Sequence, residues 1–415
     1  MLRAALRRPC FSAVYGGVKH SRAMSTVVPP PEILKSAPKV PEKLLLGPGP
    51  SNVPKDVLEA MTLPMLGHLH PEFLQIMDDV KAGVQYLFQT RNKLTFVVTG
   101  SGHAGMECSL ANLVQPGDTV LVMECGIWGQ RAADMCRRLD AGKVTTVKAE
   151  LGRPVDFADI DKALSKGGSA EGASVVFAVQ GESSTGVLQP LEGLGEICRR
   201  HNCLFLVDTV ASLGATPFQM DAWGVDCVYS GSQKCLSCPP GLAPVSFSEK
   251  ALEVIKSRKT PCTSFYLDAL WLGKYWGCFE GEGRVYHHTG PISTIYALRQ
   301  AIRHVCDETI EKSVHRHQDN AKILHEKLQE LGLELFVEDP RYRNPAITTI
   351  RVPDGVDWKA VVDDVAKAEQ IEIAGGLGPS AGKVWRIGLL GINSNPTSVD
   401  RVTKALKSVI EKQLG

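Results

Sequence analysis

Short apolar runs alternate with helix-spaced segments through the middle of the chain. Leu94–Thr99 (LTFVVT), Thr119–Met123 (TVLVM), Val175–Val179 (VVFAV), Cys203–Val207 (CLFLV) and Val225–Tyr229 (VDCVY) are strand-length, β-branched and mostly apolar at successive positions; Pro244–Phe247 continues the set. Between them fall helical spacings, Leu110 and Leu113 before the stop Pro116-Gly117, then Ala132, Met135, Cys136 and Leu139. Runs apolar at consecutive positions are buried on both faces, and helices between them act as crossovers, so the pattern predicts an α/β domain with a mostly parallel sheet and helices on both faces. Ligands of such sheets sit beyond the carboxyl ends of the strands.

After about residue 305 the style changes. A long polar-faced helix, Lys312 to Leu331, leads to a strand at Ile347–Val352, a helix from Asp357, a strand at Lys383–Leu390 (KVWRIGLL) and a last amphipathic helix carrying Val399, Val402, Leu406 and Ile410. This predicts a smaller α+β C-terminal domain. The expected division is residues 46–305 for the large domain and 306–415 for the small one, with residues 26–45, rich in proline, as an extended N-terminal arm.

Residues 1–25 differ from everything that follows. They hold Arg3, Arg7, Arg8, Lys19 and Arg22, with Glu32 the first acidic residue, which is the composition of a mitochondrial transit peptide; the alternative is a basic tail. Met24 offers an internal start and a leaderless form. The ending Lys412-Gln413-Leu414-Gly415 is not a peroxisomal S-K-L-type signal.

With 415 residues, 44% of them hydrophobic and 22% charged, the chain can bury a sizeable core. A net charge of +1 supplies no electrostatic footprint for nucleic acid, and no apolar run approaches a membrane span. Twelve cysteines without repeating spacing read as free thiols in a reducing compartment. Cys235 and Cys238 form a lone C-x-x-C, better taken as two unlinked thiols than as half of a metal site.

Four features at strand ends carry candidate chemistry. Gly100-Ser101-Gly102-His103-Ala104-Gly105 follows a strand and opens a helix, where free backbone amides make a cup for a phosphate. The same residues spell G-x-G-x-x-G, with Glu124 about 20 residues on at the end of the next strand, so a dinucleotide site, and hence an NAD-dependent oxidoreductase, stays open beside a phosphate cup and a plain turn. Asp208 ends the strand CLFLVD; it is either a turn cap or the partner of a pyridinium nitrogen. Lys234 lies just past the next strand, in Ser230-Gly231-Ser232-Gln233-Lys234; alone it is an ordinary loop lysine, but strand, Asp, crossover, strand, Lys places both side chains on one sheet edge, a pair that pyridoxal-phosphate (PLP) chemistry needs and NAD chemistry does not. The loop Gly181-Glu182-Ser183-Ser184-Thr185-Gly186 is either a cofactor-contacting turn or a plain one.

Taken in order, Leu44–Asn52 (LLLGPGPSN), Ser101-Gly102-His103, Gly126-Ile127-Trp128-Gly129-Gln130, Gly181–Gly186, the Asp208 strand, Ser230–Lys234, Tyr286-His287-His288-Thr289 and Gly375-Gly376-Leu377-Gly378 resemble the alanine–glyoxylate (serine–pyruvate) group of class V aminotransferases, PLP enzymes of fold type I. The resemblance spans about residues 40–412. It implies that Lys234 carries the cofactor as a Schiff base and moves the α-proton, that Asp208 pairs with the pyridinium, and that Trp128 stacks on the ring. It implies a phosphate held by Ser101, Gly102 and His103 with Gln233 beside them, and reached by Tyr286 and Thr289 of a second subunit in a homodimer. Arg386 (KVWRIG) is implied to take the substrate carboxylate, with Gly47 and Ser183 lining the substrate end. Taken alone, Trp128 also fits a core aromatic and Arg386 a strand-edge surface residue, although a guanidinium fork suits an α-carboxylate. The expected activity is ping-pong transamination of alanine or serine with glyoxylate or pyruvate, serving glyoxylate detoxification, with a kynurenine-type donor as the alternative. Cysteine desulfurization is disfavoured because no cysteine follows Cys306. Gln189–Gly195 and Phe279–Arg284 are candidate specificity regions.

Overall fold

The computed structural model describes residues 28–414. The proposed leader, residues 1–25 with Met24, therefore lies outside the described residues. Residues 28–42 belong to a separate compact unit, and their one regular element is a 3-10 turn at Glu32–Lys35, where an extended arm was expected. Pro31 precedes that turn, and Lys35 pairs with Glu32 across it at 2.5 Å.

From Lys43 onward the chain is one unit containing a seven-stranded sheet. We number its strands β1 (Leu94–Thr99), β2 (Thr119–Glu124), β3 (Lys143–Lys148), β4 (Val175–Val179), β5 (Leu204–Asp208), β6 (Cys227–Tyr229) and β7 (Leu242–Phe247). Their order is β1-β7-β6-β5-β4-β2-β3. All pairings are parallel except those of β7, which runs antiparallel to both β1 and β6. Because β7 is reversed between them, β1 points the same way as the rest, and the carboxyl ends of β1, β4, β5 and β6 share one edge. The central strands are buried at every position, as their continuous apolar runs require. Edge strand β3 (KVTTVK) is only half-buried and has no such run, so the apolar pattern misses it.

The large domain includes helices α1 (Pro71–Phe88), α2 (Gly102–Leu113) and α3 (Ile127–Arg138), of which α2 and α3 supply residues to the site. The later chain adds α4 (Ile292–Glu308), α5 (Ile310–Glu330), α6 (Trp358–Glu369) and α7 (from Pro396), packed with a three-stranded antiparallel sheet of Ile347–Arg351, Val384–Gly388 and Ala374–Gly375. Two hydrophobic cores follow this split. The larger runs from Val57 to Ile310; the smaller joins Leu324, Ile350, Val365, Trp385 and Leu406, and takes in Leu46 from the other end of the chain. Leu44-Leu45 pairs with Ile371-Glu372, so the segment entering the large domain is stitched to the small one. The fold is thus the expected α/β large domain with a smaller α+β domain.

The cysteines among the described residues are free, Cys235 and Cys238 included. Among the same residues no helix is long and apolar enough to cross a membrane, and no cluster of His, Cys, Asp and Glu could hold a metal.

One buried histidine makes acid stability testable. His317 on α5 is fully buried, with Nδ1 2.7 Å from the Ser313 carbonyl and Nε2 accepting from the Gly391 amide at 3.1 Å. Burial, with Arg316 adding to it, pushes its pKa down to about 4. The unfolded chain binds the proton below its ordinary value of 6.5 and the folded chain does not, so stability falls as pH drops from 6.5 towards 4. Between pH 6.5 and 5 this amounts to roughly 2 kcal/mol. Urea midpoints at pH 7 and 5 should separate less in His317→Gln than in the native chain; an unchanged separation would show that His317 is not the group responsible.

Candidate active site

Strands β5 and β6 pair in register with Asp208 beside Tyr229, so the crossover is short and Asp208 and the Lys234 loop leave the sheet side by side. Asp208 is buried; its Oδ2 accepts from the Tyr229 hydroxyl at 2.5 Å and its Oδ1 from the Val210 amide at 2.7 Å. Burial pushes its pKa up to about 6, while those two hydrogen bonds and nearby Lys234 pull the other way.

The loop after β6 is tied back to β7 through Ser230 N to the Pro244 carbonyl (2.9 Å) and Ser232 N to the Leu242 carbonyl (3.0 Å). It delivers Lys234 with its amine donating to the Pro48 carbonyl. Ser51 fastens the Gly47–Pro50 segment over this loop, its amide bonding the Gln233 carbonyl at 2.9 Å and its hydroxyl the Lys234 carbonyl at 3.0 Å. Gly49 has φ +113°, and a side chain there would run into the Lys234 amine, so glycine is needed for both backbone and space. Burial lowers the Lys234 pKa to about 8, with Arg386 pushing the same way. A lysine near 8 has an appreciable neutral fraction at neutral pH, the form that bonds a carbonyl or takes a proton.

Ser101 opens α2, but its side chain makes no capping bond. The amides of Ala104 and Gly105 bond its carbonyl, leaving those of Gly102 and His103 for an anion at the helix N-terminus. Gln233 stands beside this cup, with a buried Oε1 that has no partner among the described residues. The His103 ring lies edge-on to Trp128 (centroids 5.4 Å apart), with Nε2 3.3 Å from Arg131 NH1. Arginine can only donate, so Nε2 accepts and the neutral ring carries its proton on Nδ1. Burial and then Arg131 lower the His103 pKa, which favours that neutral form.

Trp128 forms a wall of the same cavity, its indole N–H donating to Ser183 Oγ at 2.8 Å. Ser183 also turns its carbonyl to Arg386 NH1 (3.1 Å), while Arg386 Nε donates to the Gly375 carbonyl at 2.7 Å. Arg386 is 7% exposed, in the middle of its strand, so the surface-arginine alternative is wrong. Burial lowers its pKa to about 10, leaving it cationic. These two carbonyls take two of the five N–H donors, and the remaining three are available to a carboxylate.

One cavity of about 180 Å³ brings together Ser101, Gly102, His103, Trp128, Ser183, Asp208, Gln233 and Lys234. A void near 150 Å³ takes one benzene, so there is room for a single aromatic ring. Arg386 and Gly47 do not line it. Arg386 touches the lining residue Ser183, and Gly47 packs against Gly388, two residues past Arg386, whose amide bonds the Leu46 carbonyl. Tyr286 and Thr289 are exposed and also outside the cavity. Gln189–Gly195 and Phe279–Arg284 likewise do not line the cavity; Gln189 instead braces the Val155 backbone (2.8 and 3.1 Å).

The dinucleotide alternative fails on strand order. Its fingerprint needs the strand bearing the acid beside the strand bearing the glycines. Here β2 is separated from β1 by β7, β6, β5 and β4. Glu124 is occupied elsewhere, by Gln130 at 2.9 Å and Lys148 at 3.2 Å. Glu182 is the residue that sequence reasoning passed over, reading its loop only as a cofactor-contacting turn or a plain one. It is fully buried against α3, and no local pattern signals this because Trp128, whose amide bonds its Oε2, lies in a distant segment.

Comparisons with known proteins agree with this geometry. Residues 44–401 match the family model described as aminotransferase class-V. The chain is 48% identical over 395 residues to the alanine–glyoxylate aminotransferase of Felis catus, covering 94% of each chain. It is similar in structure to the alanine–glyoxylate aminotransferase of Nostoc sp. (TM-score 0.87, 46% identity, 90% of this chain and 97% of that one). It is also similar to the ureidoglycine–glyoxylate aminotransferase of Bacillus subtilis (TM-score 0.87, 34% identity, 92% and 96%). A mostly parallel sheet with a buried acid and a buried lysine at its carboxyl edge defines a pyridoxal-phosphate enzyme of fold type I. The chain belongs to the class V aminotransferases.

Proposed function

We propose that this enzyme transaminates a small amino acid, alanine or serine, with glyoxylate or pyruvate by a ping-pong mechanism, and so removes glyoxylate. The observation that carries the reading is Arg386, a buried cationic guanidinium bonded to Ser183 of a one-ring cavity that also holds Lys234, Asp208 and the anion cup. One carboxylate anchor and a narrow space suit a short α-amino acid.

The residues fit PLP: an anion cup, a flat indole wall, a buried acid for the ring nitrogen and a lysine of lowered pKa. Bound there, the cofactor supplies an electron sink and carries the amino group between half-reactions. Ser101, Gly102, His103 and Gln233 would hold its phosphate, and Trp128 would cover a ring face. Asp208 would keep a positive ring nitrogen paired. Lys234 Nζ would hold the resting cofactor and, once a substrate amine takes its place, would carry the proton between the substrate α-carbon and the cofactor. Arg386 fixes the substrate by its carboxylate, so the α-carbon meets Nζ. We place Tyr286 and Thr289 at the phosphate of a second subunit, because both are exposed and flank His287, whose ring stacks on the exposed Phe265. The basic, acid-free residues 1–25 support delivery to the mitochondrial matrix, which sequencing the mature N-terminus would test.

A panel of alanine, serine and kynurenine-type donors against glyoxylate and pyruvate tests the assignment. Highest kcat/KM for alanine or serine with glyoxylate or pyruvate is expected; a clear preference for the bulky donor would overturn it. Arg386→Gln should lower kcat/KM for every amino and keto acid by about 100-fold, mostly through KM, which matches the roughly 3 kcal/mol of a lost charged hydrogen-bond pair. An effect confined to one substrate would show that Arg386 reads a side chain instead.

A further inference from the structure

Building on that proposed role for Trp128 and Arg386, we infer that Glu182 is a positioning residue: it locks the start of α3 to the Ser183 loop, and thereby sets both the indole that covers the cofactor and the guanidinium that binds the substrate. Its Oε2 accepts from the Trp128 amide at 3.1 Å, and its Oε1 from the Ser184 amide at 2.8 Å and the Ser184 hydroxyl at 2.6 Å. The next residue, Ser183, holds the same tryptophan by its indole N–H at 2.8 Å. Trp128 is thus gripped at backbone and ring tip by two consecutive residues. The Ser183 carbonyl between those grips holds Arg386 at 3.1 Å, and Ser380 of the small domain bonds the Ser184 carbonyl at 2.5 Å. Three consecutive residues, Glu182–Ser184, therefore link the cofactor wall to the substrate arginine across both domains.

Helix capping alone does not account for this carboxylate. The N-cap position of α3 is Gly126, which has no side chain to cap with, and Ser184 Oγ already accepts from the Ile127 amide at 3.1 Å. A side chain on Gly126 would run into the Glu182 carboxyl group, so the helix start is shaped to admit an acid from elsewhere. Burial pushes the Glu182 pKa up to about 7, a cost an ordinary exposed cap would not carry.

Glu182→Gln keeps the shape but turns an amide N–H towards one of the two backbone donors. In the holoenzyme its circular dichroism in the visible cofactor band, measured per bound cofactor, should fall. KM for both amino and keto acid should rise about tenfold, with kcat changing less. Ser184→Ala is the comparison: it removes a cap of α3 and one of the three bonds to the Glu182 carboxylate while leaving the Glu182–Trp128 bond, and should shift dichroism and KM by clearly less than Glu182→Gln does. If Glu182→Gln yields no soluble enzyme, Glu182→Asp replaces it, too short to span Trp128 and Ser184 together, with the same outcome expected. Native dichroism and KM in the glutamine or aspartate variant, or an equal effect from Ser184→Ala, would reduce Glu182 to a structural cap and overturn the inference. Trp128→Phe and Arg386→Gln run alongside: if they too leave dichroism and KM unchanged, it is the proposed site that fails, not the Glu182 inference alone.

Discussion

Lys234→Ala is expected to lower transamination by roughly 10⁴-fold, the upper end of what a positioned proton-transfer group contributes. The size follows from where the amine sits. It is buried, lowered to about 8, and fixed between the Pro48 carbonyl and the Asp208 side of the cavity, with Gly49 leaving it space. Solvent cannot supply a base at that position, and no other lysine lines the cavity. The variant should still bind PLP, since the phosphate cup, Trp128 and Asp208 are untouched. It should lose covalent retention: borohydride followed by peptide mapping labels Lys234 in the native enzyme and nothing in the variant. A small primary amine added in solution should restore part of the rate, because truncation leaves a hole of matching size. Activity above about one hundredth of native, or labelling at another lysine, would remove Lys234 from its assigned role.

How much of this was readable beforehand depended on how local each signal is. Strands β1, β2, β4 and β5 are apolar at consecutive positions because both faces are buried, so their sequence carries their environment. Strand β3, at the sheet edge with half-exposed threonines and lysines, carries no such mark. The reversal of β7 is set by which neighbours it pairs with, a long-range fact that Leu242–Phe247 cannot encode alone. That same non-local fact decided between cofactors: Gly100–Gly105 reads equally as a dinucleotide or a phosphate turn until strand order separates β1 from β2. Asp208 and Lys234 were legible as a pair because both end strands that are sequence neighbours, and sequence neighbours here are also spatial neighbours. Glu182 was not, because what makes it unusual, burial against Trp128, comes from chain more than fifty residues earlier.

Asp208→Asn should lower kcat by roughly 10³-fold, the equivalent of the 4 kcal/mol typical of removing one partner from a buried charge pair. The substitution is nearly isosteric. An amide oxygen can still accept from Tyr229 or Val210, so the strand end should keep its shape and the loss is one of charge. The proton-moving amine remains, so borohydride should still label Lys234 in this variant, which separates the electron-sink role from the covalent one. KM should change little, because Arg386 is held by Ser183 and Gly375 and not by Asp208. A pH arm adds an independent check. Burial raises Asp208 to about 6 in the free site, and a cation brought beside it lowers that value again. The carboxylate is therefore charged above this range and protonated below it, so PLP affinity should weaken as pH falls through about 6. Asparagine has no proton to gain, so the Asp208→Asn apoenzyme should show a weaker but flatter affinity over the same window. Equilibrium titration of both apoenzymes with PLP at pH 5.5 and 7.5 measures this, and parallel pH dependence in the two would mean that the acid limb belongs to the cofactor or to Lys234 rather than to Asp208.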